Sequence, residues 1–244
     1  MKKSLLMIAA AVTVVLSAGP VMGFESEFLD RSPASPEITF IGHGTLMFRF
    51  EGKVIQVDPW GQLADYGKLP KADLVLVTHE HRDHLDLKAI EAVRKDGTVI
   101  LASETAAKQI KGAVVMKNGD VKSVLDIPVE AVPAYNLVHM RSPGVPYHPK
   151  GAGNGYILTF ASKRVYIAGD TENTPEMKAI KDIDAAFLPM NLPFTMTPEM
   201  AADAARAFRP KILYPYHFGE TDVQKLATLL KDEKGIEVRI RQMK

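Results

Sequence analysis

Residues 74–84 read Leu74-Val75-Leu76-Val77-Thr78-His79-Glu80-His81-Arg82-Asp83-His84. The unbroken apolar run fits a strand buried on both faces. It ends in three imidazoles and the Asp83 carboxylate within six residues. His79 and His81 are two apart, so in an extended segment they project to the same side. Asp83 and His84 follow as the chain turns toward a helix, where they can serve a second point nearby. Imidazole suits zinc, manganese and iron, and a carboxylate adds charge neutralisation and a place for a proton. A solvated loop has no reason to follow a fully apolar strand with this density of ligands. The stretch therefore reads as a metal site at the end of a sheet.

Outward from this point the chain alternates. Residues 24–36 are polar and hold Ser32-Pro33-Ala34-Ser35-Pro36, an extended lead-in. Strands are predicted at 38–41 and 46–50, flanking Gly42-His43-Gly44-Thr45, and at 54–57, ending in Asp58-Pro59-Trp60-Gly61. Helical spacing follows at 87–93 and 104–110, around a strand at 99–101. Later strands are predicted at 129–132, 156–160, 165–168, 185–188, 212–216 and 237–240. Helices are predicted at 198–208, capped by Thr197, and from Thr221 to about Lys231. A long loop with Pro143, Pro146, Pro149 and several glycines joins 133–136 to the strand at 156. Strands then helices, twice over, predict an α/β fold: a four-layer αββα sandwich with its site at strand ends.

The chain opens Met1-Lys2-Lys3, followed by an apolar stretch over 5–16 and then small residues. That is a basic region and an apolar core too short to span a bilayer comfortably. The expectation is a signal peptide at 1–23, a mature start near Phe24, and export to a bacterial periplasm. Residues 24–244 are expected to form a single domain. There is no cysteine, which excludes disulfides, thiolate ligands and a thiolate nucleophile. Lys plus Arg number 30 against 29 Asp plus Glu, with no basic tract. Nucleic-acid binding, and membrane contact beyond the signal segment, therefore get no electrostatic support. The expected partner is a small-molecule substrate, and homo-oligomerisation is left open.

Two more residues matter by position. Asp170 follows Ile167-Ala168-Gly169, and His217 ends a late strand before Phe218-Gly219. Taken alone, each reads as well as a turn residue as a ligand. Their order after the cluster changes that. The form H-x-H-x-D-H, then Asp170, then His217, closely resembles the metallo-β-lactamase superfamily. The text Ile41-Gly42-His43-Gly44-Thr45, Val57-Asp58-Pro59 and Ala168-Gly169-Asp170-Thr171 fits it too. Within the superfamily the chain looks like the branch of ascorbate-6-phosphate lactonase and N-acyl-phosphatidylethanolamine phospholipase D.

The resemblance implies a ligand set. His79 and His81 would bind a first metal; Asp83, His84 and His217 a second; Asp170 would bridge both. The branch places a further histidine where this chain has Asn136. Its amide oxygen is a weaker ligand, and His139 or His148 is the alternative. The implied cofactors are two divalent ions, zinc favoured, manganese or iron as alternatives. The implied activity is hydrolysis of an ester, lactone, phosphodiester or amide bond by a metal-activated hydroxide. Asp83 and Asp170 would hold the nucleophile and take its proton, and His148 would be a ligand or a proton donor. Asp58 would support a ligand histidine or cap its strand. Trp60, Tyr66, Tyr135 and Met196 are candidates for the mouth, and Lys150 and Arg141 for meeting an anion, with Arg141 the weaker of the two. The rival readings are a di-iron redox protein on the same fold and a non-catalytic metal-binding module.

Overall fold

The computed structural model describes residues 23–243. The signal-peptide expectation for 1–23 therefore lies almost wholly outside the described residues. Two seven-stranded sheets face each other. The first holds β1 (Glu25–Phe28), β2 (Glu37–Gly42), β3 (Thr45–Phe50), β4 (Lys53–Val57), β5 (Leu74–Val77), β6 (Val99–Ala102) and β7 (Val114–Val115), in chain order. The second holds β8 (Val121–Val124), β9 (Ile127–Ala134), β12 (Gly153–Phe160), β13 (Lys163–Ile167), β14 (Ala185–Pro189), β15 (Ile212–Tyr216) and β16 (Glu237–Val238). Its spatial order runs from β16 through β15, β14, β13, β12 and β9 to β8. Between β9 and β12 the chain makes a small hairpin, β10 (Met140–Ser142) and β11 (Val145–Pro146). In each sheet the hairpin-connected strands are antiparallel, and the last three neighbouring pairs are parallel.

The parallel pairs need crossovers, and helices supply most of them. These are α1 (Leu87–Val93) and α2 (Glu104–Ala107) beside the first sheet. Beside the second are α3 (Pro175–Lys178), α4 (Pro198–Phe208) and α5 (Val223–Leu230). Side-chain alternation decides which face meets which layer. Phe40, Phe48, Ile55 and Leu74 pack against the second sheet, where the Phe48 and Phe160 rings stack at 5.6 Å. Met47, Val75 and Val77 point the other way, into a second core with Ile90 and Val93 of α1. Phe208 of α4 meets Tyr166 edge-on at 6.0 Å. The result is the αββα sandwich.

The differences from the sequence reading have local causes. The polar lead-in contains β1, paired with β2, because Glu27 finds Tyr214, Arg239 and Arg241. The helix expected at 104–110 stops after Ala107. Asp222, not Thr221, caps α5, its carboxylate accepting from the Gln224 N–H. The short strands β7 and β8 and the β10–β11 hairpin carry too little periodicity to be read.

Candidate metal centre

The site forms where the ends of both sheets meet. After β5 the chain wraps into one helical turn, with the His84 and Leu85 N–H groups donating to His81 O. That turn carries Asp83 and His84 round to a point beside His79 and His81. The two sheets are tied here: the Asn154 N–H donates to Thr78 O at 3.0 Å, and the His217 N–H to His43 O at 2.9 Å. Three site residues, His43, Asp58 and His217, hold left-handed backbone, with φ of 50°, 45° and 45°. Such strain persists where surrounding structure over-determines it, and it clusters at functional sites.

Two groups of ligand atoms converge. In the first, His79 Nε2 lies 3.1 Å from His81 Nδ1, which lies 3.2 Å from His148 Nε2. Asp170 Oδ2 is 3.3 Å from His148 Nε2 and 3.9 Å from His79 Nε2. In the second, Asp170 Oδ1 is 3.5 Å from His84 Nε2 and 3.6 Å from His217 Nε2. Asp83 Oδ2 is 3.7 Å from His84 Nε2 and 3.3 Å from His217 Nε2. A tetrahedral ion with metal–nitrogen bonds of about 2.1 Å needs its ligands about 3.4 Å apart. The first group, and His84 and His217 around Asp170 in the second, have spacings on that scale. Asp83 Oδ2 approaches the second group through the two histidines, and with His43 and His217 forms a further cluster. His84 Nε2 and Asp170 Oδ1 are also buried without any hydrogen-bond partner, although they face each other. Such atoms are costly unless a cation satisfies them. The donor set thus fits divalent metal, with Asp170 presenting Oδ2 to one group and Oδ1 to the other.

Proton positions are fixed from behind. His84 Nδ1 donates to Asp58 Oδ2 at 2.7 Å, which turns Nε2 toward the second group. The Thr78 hydroxyl donates to the same Asp58 oxygen at 2.7 Å and accepts from His79 Nδ1 at 2.9 Å. Asp58 therefore orients one histidine of each group. A Cβ at Gly44 would lie 2.8 Å from His84 Cε1 and 3.2 Å from His217 Cδ2, so only glycine fits that turn.

Asn136 stands apart from the ligand role expected of it. Its oxygen accepts from the His148 N–H at 2.9 Å and from His148 Nδ1 at 2.6 Å, which uses both lone pairs. Its Nδ2 donates to Glu172 Oε1 and Phe194 O. Asn136 thus aims His148 into the first group. His148 Nδ1 is held by Asn136, and its Nε2 faces the first group, 3.2 Å from His81 Nδ1. His139 is no ligand either; its Nδ1 lies 2.8 Å from Glu172 Oε1. The buried Glu172 carboxylate also accepts from the N–H groups of Leu137, Val138 and His139. Burial pushes its pKa up, but Asn136 and those backbone donors outweigh burial and hold it below the usual carboxylate range. Nothing in the sequence marked Glu172 except its place two residues after Asp170.

Charges at the centre are strongly coupled. Burial opposes ionisation of Asp170, yet His217 and His84 hold it well below the ordinary carboxylate range. Burial likewise opposes ionisation of Asp83, which hydrogen bonds from His217 and His43 more than offset. His43 Nε2 is 3.1 Å from Asp83 Oδ2; a carboxylate can only accept, so the proton sits on Nε2. Burial, with neighbouring histidines, keeps His43 and His79 below the usual imidazole range. His84 goes the other way. Burial would lower it, but Asp170 and Asp58 raise it to about 10, so without an ion a proton takes the ion's place.

A cleft of about 470 Å³ opens on these ligands, lined by Arg82, Arg141, Tyr147, Asn191 and Phe194 beside His81, Asp83, Asp170 and His217. The mouth residues differ from those expected. Met196 is buried in the core, and the buried Tyr66 hydroxyl accepts from the Trp60 N–H. Tyr135 pairs with Lys150 and Glu176. Trp60 does come near, its ring 5.1 Å from that of His43.

Fold and ligand arrangement together define a metallo-β-lactamase-fold metalloprotein, and comparison with known proteins agrees. The model of the β-lactamase superfamily domain matches residues 37–217. The UPF0173 metal-dependent hydrolase of Solibacter usitatus is 33% identical over 196 residues, covering 75% of this chain and 85% of that protein. A solved structure from Parabacteroides distasonis, provisionally named a metal-dependent hydrolase, is 52% identical with a TM-score of 0.85. It covers 91% of this chain and 100% of that one. Igni18, a novel metallo hydrolase from Ignicoccus hospitalis, is 26% identical with a TM-score of 0.70, covering 86% of this chain and 96% of its own. The chain belongs to the β-lactamase superfamily and, within it, to the UPF0173 metal-dependent hydrolases.

Proposed function

We propose that this hydrolase works with two divalent ions, zinc in the first instance, held in adjacent sites. His79, His81 and His148 would hold one; His84, His217 and Asp83 the other; Asp170 would bridge them. The observation that carries this reading is the division of Asp170, whose Oδ2 belongs to one ligand group and Oδ1 to the other. Bound there, the ions would lower the pKa of water, polarise the scissile bond and offset the charge that develops as it breaks. The chain's own residues do the rest. Asp83, about one-third exposed, reaches the cleft; His43 holds Oδ2, and the other oxygen can accept a hydrogen bond from the attacking water and orient it. Asp58, Thr78 and Asn136 keep three imidazoles in the tautomer that leaves the inward nitrogen free to bind. The substrate class is a small ester, lactone, phosphodiester or amide, and the working compartment is an exported one.

Elemental analysis of the purified protein, beside a panel of chromogenic esters, lactones and phosphodiesters, tests the reading. Two zinc equivalents and metal-dependent turnover are expected. Tightly held iron with no hydrolysis would favour the di-iron redox alternative, and metal without turnover on any substrate the binding module.

A further inference from the structure

The cleft carries two guanidinium groups that the metal centre does not use. Seven of the other arginines lie against carboxylates, among them Arg49 on Glu37, Arg94 on Glu91, Arg164 on Glu130, Arg206 on Glu233 and Arg241 on Glu25. Among the described residues Arg31, Arg82 and Arg141 have no such partner; Arg31 is an exposed residue outside the cleft, whereas Arg82 and Arg141 both line it. They arrive from different elements, Arg82 from the turn after β5 and Arg141 from β10. Arg141 is placed by stacking: its guanidinium lies 5.8 Å from the centre of the Tyr147 ring, which packs edge-on against Phe194 at 5.0 Å. Lys150, the cation favoured from sequence, is instead paired with Glu176 at 2.6 Å and does not line the cleft.

The lining has no carboxylate except Asp83 and Asp170, both in the ligand groups. Two divalent ions would more than cancel those, so two unpaired guanidiniums leave the loaded cleft positive. A guanidinium matches a planar or tetrahedral oxyanion with paired N–H donors. We propose that Arg82 and Arg141 are specificity-determining residues that bind an oxyanionic group, a carboxylate or phosphate, carried by the substrate beside the bond to be cleaved. The Tyr147–Phe194 wall takes the adjoining apolar part. The scissile bond in this statement rests on the hydrolase reading; the anion site does not.

The test is calorimetric binding to zinc-loaded protein of three probes that cannot be turned over: phenylphosphonate, benzoate and benzyl alcohol. The two anions separate phosphate from carboxylate as the preferred group, and the alcohol is the uncharged control. Arg141→Gln and Arg82→Gln are each expected to weaken the preferred anion by about 10–100-fold, the range for a hydrogen bond to a charged group. Arg141→Lys should recover only part of that, and benzyl alcohol should not respond. Arg82 sits between two ligands, so zinc content is measured for each variant; if Arg82→Gln alters it, Arg141→Gln alone decides. Unchanged anion affinity in Arg141→Gln would overturn the inference, since the ions alone would then account for binding. That result combined with metal-dependent turnover leaves the hydrolase reading intact. Lost affinity without turnover on any substrate leaves the anion site standing and removes the hydrolase reading.

Discussion

Asn136 and His148 are joined at both ends of the histidine: the Asn136 oxygen accepts from the backbone N–H at 2.9 Å and from ring Nδ1 at 2.6 Å. The Asn136 N–H returns a bond to His148 O at 2.9 Å. These contacts close the base of the excursion that carries β10 and β11. The imidazole that completes the first ligand group thus comes from the far end of a loop, and Asn136 fixes where that loop comes home. Asn136→Ala removes both acceptor bonds and leaves the ring free to turn. First-site affinity is expected to fall by about 10–100-fold, the usual cost of losing a ligand's support. Chelator competition should show one ion weakened and the other unchanged. Equal retention of both ions would remove Asn136 from this role.

Asp170→Asn is expected to be more severe, because one side chain serves both groups. The amide keeps the size but loses the charge and offers only one oxygen, so one group must face an N–H pair. Metal content should drop at both sites, and elemental analysis giving two full equivalents would end the bridging assignment. His148→Ala should spare the second ion, which separates loss of a bridge from loss of a single ligand.

How much of this was legible follows from where the information sits. The strand ending in His79–His81 is a local pattern, and so are the helix at 198–208 and its Thr197 cap, which the structure places over the same residues. The position of Asp170 and His217 could be read only from their order along the chain. The role of Asn136 could not be read at all, because an amide's task depends on which groups reach its oxygen. That required the fold of 137–147, whose two short strands carry no periodicity. Arg82 and Lys150 illustrate the same limit. A cation's function depends on whether a carboxylate lies within reach, and Glu176 lies near Lys150 only through tertiary structure.

Stability of the metal-free protein should depend on pH through His84. Its pKa rises from an ordinary value of 6.5 to about 10 in the folded chain, where Asp170 and Asp58 outweigh burial. A raised pKa adds stability that is complete below about pH 6.5 and lost as pH climbs through about 10. After chelation the melting temperature should therefore decline between pH 6.5 and 10. With metal present the same window should be flatter, since an ion then occupies Nε2. A pH-independent melting temperature in the chelated protein would contradict the assignment.

Gly44 gives the most local check on the second group. A Cβ there would stand 2.8 Å from His84 Cε1 and 3.2 Å from His217 Cδ2. Both rings are buried, and His84 is further pinned by Asp58 at 2.7 Å, so neither can give way cheaply. Gly44→Ala should cost about 1–3 kcal/mol, the range for overpacking a close-fitting interior. It should also displace the two imidazoles of the second group while leaving His79, His81 and His148 in place. The expected outcome is a folded protein with a lower melting temperature that binds one ion at near wild-type affinity and the other far more weakly. Denaturant unfolding measures the first effect and chelator titration the second. Two ions held as tightly as in wild type would mean that the second group does not depend on the placement of these rings.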